Sequence, residues 1–272
     1  MAQKGEVPVS TARHAARFWR RFTSYEFARH RAELPLVIDE ILPAASVFPI
    51  AFRDSGEGPV PVALLRIGPV RETPFVSAEG RWIGSYVPSI LRAHPFSAVA
   101  HGAEGKMMLL VDEESGLVTD DPRDEPFFAP DGALSESLQK VLNFLDERAA
   151  SARRTRVACQ GLRDAGVLTG LTPGAGMTED EAAGLLSVDP DRLASLPDSD
   201  LPGMMHSGAL RLAHAQLVAL EHFARVSRAG RTAPRRAAER APKPGAEDSL
   251  SGFLSALAEA QASDRENSGD LQ

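Results

Sequence analysis

The chain has 272 residues, of which 43% are hydrophobic, and its formal net charge is -7 at pH 7. A chain of this length can bury one sizeable core and is compatible with one or two domains. The negative balance gives no general reason to expect a nucleic acid or an anionic membrane as the partner. The charge is unevenly distributed, because basic residues predominate in 1–31 and 229–243 while 112–131 is acidic.

The cysteine count and the apolar runs set further limits. Cys159 is the single cysteine, which excludes an internal disulfide, and no cluster of cysteines and histidines suggests a structural zinc site. No apolar run approaches the ~20 residues that cross a bilayer, and the N-terminus lacks the apolar segment of a secretory signal. These features predict a cytoplasmic protein without a transmembrane segment. The arginine-rich start leaves an organellar transit peptide as an alternative.

The N-terminal segment has helical spacing. Ala12, Ala15, Trp19 and Phe22 recur at intervals that predict an amphipathic helix over about 11–30, with arginines on its polar side. A packed helix with solvated arginines and a helix lying on a membrane surface both fit this pattern.

Short strands and tight turns follow. Extended segments are predicted at Val47–Phe52, at 62–67 and at Phe75–Val76, and the Pro and Gly residues between them indicate an antiparallel meander. Pro88 suits the first turn of a short helix that runs through Arg92. The run Met107–Val111 is the clearest candidate for a central strand.

The C-terminal half is predicted to be mainly helical. Asp131 is the expected N-cap of a helix, or of two helices, that reaches Gly166, and a further helix is expected over 203–226. The stretch 169–176 is expected to be loop. Residues 229–272 are predicted to be a disordered tail containing a short amphipathic helix, Ser249–Ala262, that docks on the fold or on a partner. The prediction is one α+β domain over 1–228, with a small, mostly antiparallel sheet from the N-terminal half packed against helices mainly from the C-terminal half.

Several segments in this order resemble the SapC family of bacterial proteins. They are TSYEFARH, FPIAF, VALLRI, EGRWIGSYVPSILRAHPF, MMLLVDEESGLV and HSGALRLAHAQL, which together cover roughly 18–225. The resemblance implies a bacterial α+β domain connected with surface-protein export or peptide uptake, and it does not imply a particular reaction. Around 169–180 the chain departs from the family pattern, which puts an additional strand there in doubt.

Two groups of side chains are candidates for a ligand or partner site. Asp112 and Glu113 follow the predicted strand and could bind a cation or share acid and base roles, but a solvated strand end followed by a turn also explains them and is the favoured interpretation. Arg81, Trp82, Tyr86 and Arg92 combine aromatic and guanidinium groups, which are enriched at binding hot spots. No catalytic residue, metal ligand or cofactor motif is identified, because serine-hydrolase, P-loop and dinucleotide-binding signatures are missing.

These observations favour a non-enzymatic cytoplasmic accessory protein that binds a protein or peptide linked to surface-protein export or peptide uptake. The alternative is an enzyme, possibly metal-assisted, with a site between Asp112 and the Trp82–Arg92 region that acts on a peptide or small molecule. No specific nucleic-acid partner is expected, because the basic residues of 229–243 support only weak, salt-sensitive attraction.

Overall fold

The computed structural model describes residues 5–101, 106–174 and 176–228, which contain the strands, helices and 3₁₀ turns that follow. The strands, β1 to β11, are Glu6–Pro8, Phe18–Trp19, Glu33–Pro35, Ile50–Asp54, Pro59–Leu64, Phe96–His101, Lys106–Asp112, Val118–Thr119, Glu125–Pro126, Leu168–Gly170 and Leu185–Val188. The helices, α1 to α8, are Thr11–His14, Ile41–Ala45, Ser89–Arg92, Glu136–Asp164, Glu179–Ala182, Pro190–Ala194, Leu201–Ser207 and Ala209–Ala219. Four 3₁₀ turns are Glu26–Ala28, Ile38–Glu40, Glu113–Ser115 and Leu220–His222, and residues 223–228 are helical.

The strands form three antiparallel sheets. The five-stranded sheet has the order β10-β11-β4-β5-β3, and two three-stranded sheets have the orders β1-β7-β6 and β8-β2-β9. The α+β class is therefore confirmed, with antiparallel strands and with helices mainly in the C-terminal half. The predicted central strand is confirmed as β7, which lies between β1 and β6.

Helix α4 is one continuous helix of 29 residues. Its N-cap is Ser135, whose hydroxyl accepts a bond from the Leu138 N–H, so the prediction that Asp131 caps the helix is wrong. Asp131 instead accepts from the Ala133 N–H in the preceding turn. The predicted end at Gly166 is confirmed: this glycine has φ +65°, and the Val167 N–H bonds back to the Leu162 carbonyl.

The predicted helix over 11–30 is wrong. The chain forms only α1 there, then β2, which pairs with both β8 and β9, and then the turn Glu26–Ala28. Tertiary pairing outweighs the local helical spacing, because strand β2 buries Trp19 against Phe96, with ring centroids 4.9 Å apart.

Two other C-terminal predictions need correction. Strand β10 covers the first two residues of the stretch expected to be loop, 169–176. The next strand, β11, begins only at Leu185, after the region in which the sequence put a strand in doubt. The helix expected over 203–226 is divided at Gly208, which has φ +81°. A Cβ placed on this glycine would lie 2.6 Å from Ile38 Cδ1, as expected for a close packing contact.

Two large apolar clusters lie along α4. Its N-terminal half contributes Leu138 and Leu145 to a cluster with Trp19 and Phe96 under the sheet β1-β7-β6. Its C-terminal half contributes Ala158, Cys159 and Leu162 to a larger cluster with the five-stranded sheet and α8.

The described fold lies within one compact unit of the chain, Met1–Gly230. The predicted tail, with its helix Ser249–Ala262, lies outside the described residues, and the single-domain boundary at 228 stays a prediction. In the part of the chain that is described, no helix combines the length and the apolar character needed to cross a membrane.

Candidate functional site

A groove of about 510 Å³ lies between the end of α3, the start of β6, the first turns of α4 and the segment after β2. Its aromatic wall consists of Trp19, Phe22, Tyr25, Phe96 and Phe144. Three cationic side chains also line it: Arg21, Arg92 and Lys140. None of the described residues that line it carries a carboxylate, and we call it the cationic groove.

Aromatic packing fixes the shape of this wall. Phe22 meets Tyr25 edge to face, with ring centroids 5.1 Å apart, and the His94 ring stacks on Phe27 at 3.8 Å. Burial lowers the pKa of His94 below its ordinary value, against the opposing effect of the Asp112 negative charge. The imidazole is therefore an uncharged part of the wall at neutral pH.

Arg92 is the best positioned of the three cations. Its Nη2 donates to the Tyr86 hydroxyl at 3.2 Å. Its guanidinium carbon lies 5.9 Å from the centre of the Tyr86 ring and 5.5 Å from that of Phe144, within the range of cation–π attraction. Arg92 is nevertheless exposed, so most of its donors face the groove and solvent.

Behind Arg92 lies a buried carboxylate, Glu40, which is only 4% exposed. Its Oε1 accepts from the Val37 N–H at 3.1 Å and from the Ser89 hydroxyl at 2.7 Å. Its Oε2 accepts from the Ser89 N–H at 2.7 Å and from the Tyr86 hydroxyl at 2.9 Å. Glu40 thus joins the starts of a 3₁₀ turn and of α3, and it holds the tyrosine that orients Arg92.

Arg148 of α4 supplies a half-buried positive charge near this carboxylate. Its Nε donates to the Ser89 hydroxyl at 3.1 Å, and its Nη2 donates to the Pro35 carbonyl at 3.4 Å. Burial lowers the pKa of Arg148, whereas the nearby negative charge of Glu40 acts to raise it.

The hydroxyl of Tyr86 stays a hydrogen-bond donor. Burial and the nearby Glu40 charge raise the pKa of Tyr86 to about 12, so the phenol remains protonated. A small cavity of about 170 Å³ borders these groups.

The structure brings part of the predicted aromatic and arginine set together. The Trp82 indole N–H donates to the Tyr86 carbonyl at 2.8 Å, and its ring lies 5.5 Å from Tyr25 of the groove wall. Trp82, Tyr86 and Arg92 therefore form one connected support. Arg81 does not join them, because its side chain is 78% exposed and lies 3.7 Å from Glu79.

Asp112 and Glu113 lie at a different place and have other partners. Asp112 caps the turn Glu113–Ser115 by accepting from the Glu114 N–H at 3.0 Å. Glu113 accepts from Arg13 Nε at 2.8 Å and from Arg13 Nη2 at 2.6 Å, and it lies 3.1 Å from His14 Nε2. The bond with Arg13, reinforced by His14, lowers the pKa of Glu113. Neither carboxylate lines the cationic groove or the cavity beside Glu40.

Sequence reasoning missed Glu40, Arg148 and Lys140. A weak signal existed for Glu40, since it is one of two acids within the mainly apolar run LVIDEIL. Arg148 and Lys140 look like ordinary solvated charges on a helix, and only the packing of α4 against α3 reveals their positions. In residues 5–101, 106–174 and 176–228, no three His, Cys, Asp or Glu side chains are grouped so as to hold a metal ion.

Comparison with known proteins gives one match. The family model described as SapC matches residues 9–226, a region that begins just after β1, reaches the last described helical residues and includes the whole lining of the groove. No curated protein and no solved structure matches the chain. Since the matched region covers most of the sequence, the chain belongs to the SapC family.

Proposed function

We propose that this protein is a non-enzymatic cytoplasmic accessory protein that binds a polypeptide through the cationic groove. The observation that carries the proposal is the combination of five aromatic rings and three cations in one groove. Aromatic and arginine side chains dominate the energetics of protein recognition, because they combine large contact area with directional hydrogen bonds.

The surroundings of the groove favour a chain-like ligand. A second cavity, of about 240 Å³, shares Ala93 and Phe96 with the groove and continues along β6. Strand β6 is an edge of its sheet in the described part of the chain. An edge strand offers backbone groups to an extended peptide, so a polypeptide can be bound by its side chains in the groove and by its backbone along β6.

The link to surface-protein export or peptide uptake is a further part of the proposal, and family membership supports it. The enzyme hypothesis has less support, because Asp112 and Glu113 are engaged in holding a turn and the N-terminal segment. The proposal requires a polypeptide partner and no chemical change in that partner.

Site-specific photo-crosslinking tests the proposal. A photoreactive phenylalanine analogue replaces Phe144 in the groove of the full chain, and the same analogue replaces Val157 as the control. Val157 also lies on α4 and is 62% exposed, but it does not line the groove. In native cells we expect a defined polypeptide adduct from position 144, a loss of that adduct when Arg92→Glu is added, and no such adduct from position 157. Equal labelling from both positions, or an adduct that survives Arg92→Glu, would refute the proposal.

A further inference from the structure

The charge of the cationic groove is opposite to that of the protein. The chain has a net charge of -7, yet the groove is lined by Arg21, Arg92 and Lys140. These three residues come from separate parts of the fold: the segment after β2, the end of α3 and the first turns of α4. A local excess of one charge sign inside a concave wall raises the concentration of oppositely charged ligands there.

Arg92 retains donors for a ligand. Among the described residues, Arg92 donates a hydrogen bond to the Tyr86 hydroxyl, whereas a guanidinium carries five N–H groups. The contacts with the Tyr86 and Phe144 rings orient its plane. A planar, oriented guanidinium binds a carboxylate through two parallel hydrogen bonds, which makes carboxylate the best-matched ligand group.

Lys140 has a carboxylate neighbour that an incoming ligand can replace at small cost. Its Nζ lies 2.7 Å from Glu136, but the two side chains are 70% and 86% exposed. Exposed pairs of this kind contribute little to stability because water and salt screen them. A ligand carboxylate can therefore share or take over this cation.

The aromatic wall provides an apolar contact. Trp19 lines the groove and is only 3% exposed, so its ring is a fixed, well-packed part of this wall. The neighbouring Phe22 and Phe96 rings favour an apolar side chain in the occupant of the groove.

We infer that the cationic groove selects acidic polypeptide segments in which Asp or Glu residues stand beside an aromatic residue. This inference rests on the proposed function and adds the chemical class of the partner. The carboxylates pair with the three cations, and the aromatic side chain packs on the wall formed by Trp19, Phe22 and Phe96.

Fluorescence anisotropy with labelled twelve-residue peptides tests the inference on the full chain. One peptide contains Asp and Glu with two Phe residues, the second replaces each acid by its amide, and the third keeps the acids but replaces Phe by Ser. We expect the first to bind at least about tenfold more tightly than either of the others at low salt. This preference should shrink in 0.3 M salt, where screening is stronger.

Charge-removing variants locate the binding. Arg21→Gln and Lys140→Gln change exposed side chains, and each should weaken the acidic peptide about twofold to fivefold, as expected for exposed ion pairs. Arg123→Gln is the matched control, because Arg123 is 88% exposed and pairs with Asp121 outside the groove. It should leave the affinity unchanged.

The outcomes separate the inference from the proposed function. Equal affinity for the acidic and amide peptides, or equal losses in the control variant, would overturn the acidic selectivity while leaving polypeptide binding in place. Tighter binding of single-stranded oligothymidine than of the acidic peptide would assign the groove to nucleic acid and overturn the inference. If no peptide binds while the Phe144 crosslink is still formed, the inference alone fails, and if both experiments are negative, both fail.

Discussion

Replacing Glu40 with glutamine removes one negative charge without changing the size of the side chain. Each carboxylate oxygen accepts from one backbone N–H and one hydroxyl: Val37 and Ser89 on one side, Ser89 and Tyr86 on the other. A glutamine nitrogen must face one of these pairs. The hydroxyl can rotate and accept from it, but the backbone N–H cannot, so one buried N–H loses its acceptor in either orientation.

The magnitude follows from this count. An orphaned buried N–H costs about 1–3 kcal/mol, and the bonds that remain lose their charge-assisted character. We therefore expect Glu40→Gln to lower the free energy of unfolding by about 2–4 kcal/mol. Glu57 is an exposed glutamate in a turn, so Glu57→Gln should change the free energy of unfolding by less than about 0.5 kcal/mol.

Urea unfolding followed by far-UV circular dichroism measures both values, with linear extrapolation to water. The midpoint of Glu40→Gln should fall while the slope stays that of the wild type. A loss below about 1 kcal/mol for Glu40→Gln, or a loss equal to that of Glu57→Gln, would refute the reasoning that the hydrogen bonds of the Glu40 side chain hold α3 in place.

Three other predictions concern a glycine, a cysteine and a glutamate. Gly208→Ala should lower the free energy of unfolding by about 2 kcal/mol, because Gly208 has a positive φ and lies against Ile38. Gly203→Ala, inside α7, should instead raise the free energy of unfolding by up to about 1 kcal/mol. Changes of the same sign in the two variants would contradict this reasoning. Burial raises the pKa of Cys159 to about 12, so the native thiol should react with iodoacetamide more than about 100-fold slower than the urea-unfolded thiol, and similar rates would disprove its inertness. The pKa of Glu113 is lowered from its ordinary value of 4.5, so its ionised carboxylate stabilises the folded state at pH values above 4.5. The difference in free energy of unfolding between the wild type and Glu113→Gln should therefore shrink as the pH falls below 4.5. A difference that stays constant down to pH 3 would exclude this linkage.

The sequence predicted the elements whose signals are local. Pro88 introduces α3, Gly166 ends α4, and the run Met107–Val111 forms the middle of β7. In each case a proline, a glycine or a continuous apolar stretch restricts the backbone without help from distant residues. The family was also recognisable, since the quoted segments lie within the matched region 9–226.

The sequence could not predict features that depend on distant partners. The helical spacing around Trp19 is genuine, but the indole packs on Phe96, which lies 77 positions later, and the backbone pairs with β8 and β9. The apolar stripe of α4 weakens near residue 151 for a similar reason. There, Ser151 and Thr155 accept the N–H groups of Asp39 and Ile38, and these bonds form only after the chain has folded.

The cationic groove contains residues that local sequence signals identified and others that depend on distant partners. Arg92 was identified because it accompanies Trp82 and Tyr86 in one segment, whereas its buried support, Glu40, lies 52 positions earlier. A cluster such as Glu40 and Arg148, which both bond to the Ser89 hydroxyl, has no fixed spacing in sequence. Its only local mark is a charged residue next to apolar ones, which is also common on solvated surfaces.

The length of α4 has a consequence for how the protein folds. At 1.5 Å per residue its 29 residues extend about 43 Å, and the two ends are buried in different apolar clusters. Either half alone would be a helix of about 14 residues, which is only marginally stable in water. Loss of one cluster would therefore leave half of α4 unsupported and weaken the helix that the other cluster needs. Through this helix the two clusters gain or lose their order together, as a single cooperative unit.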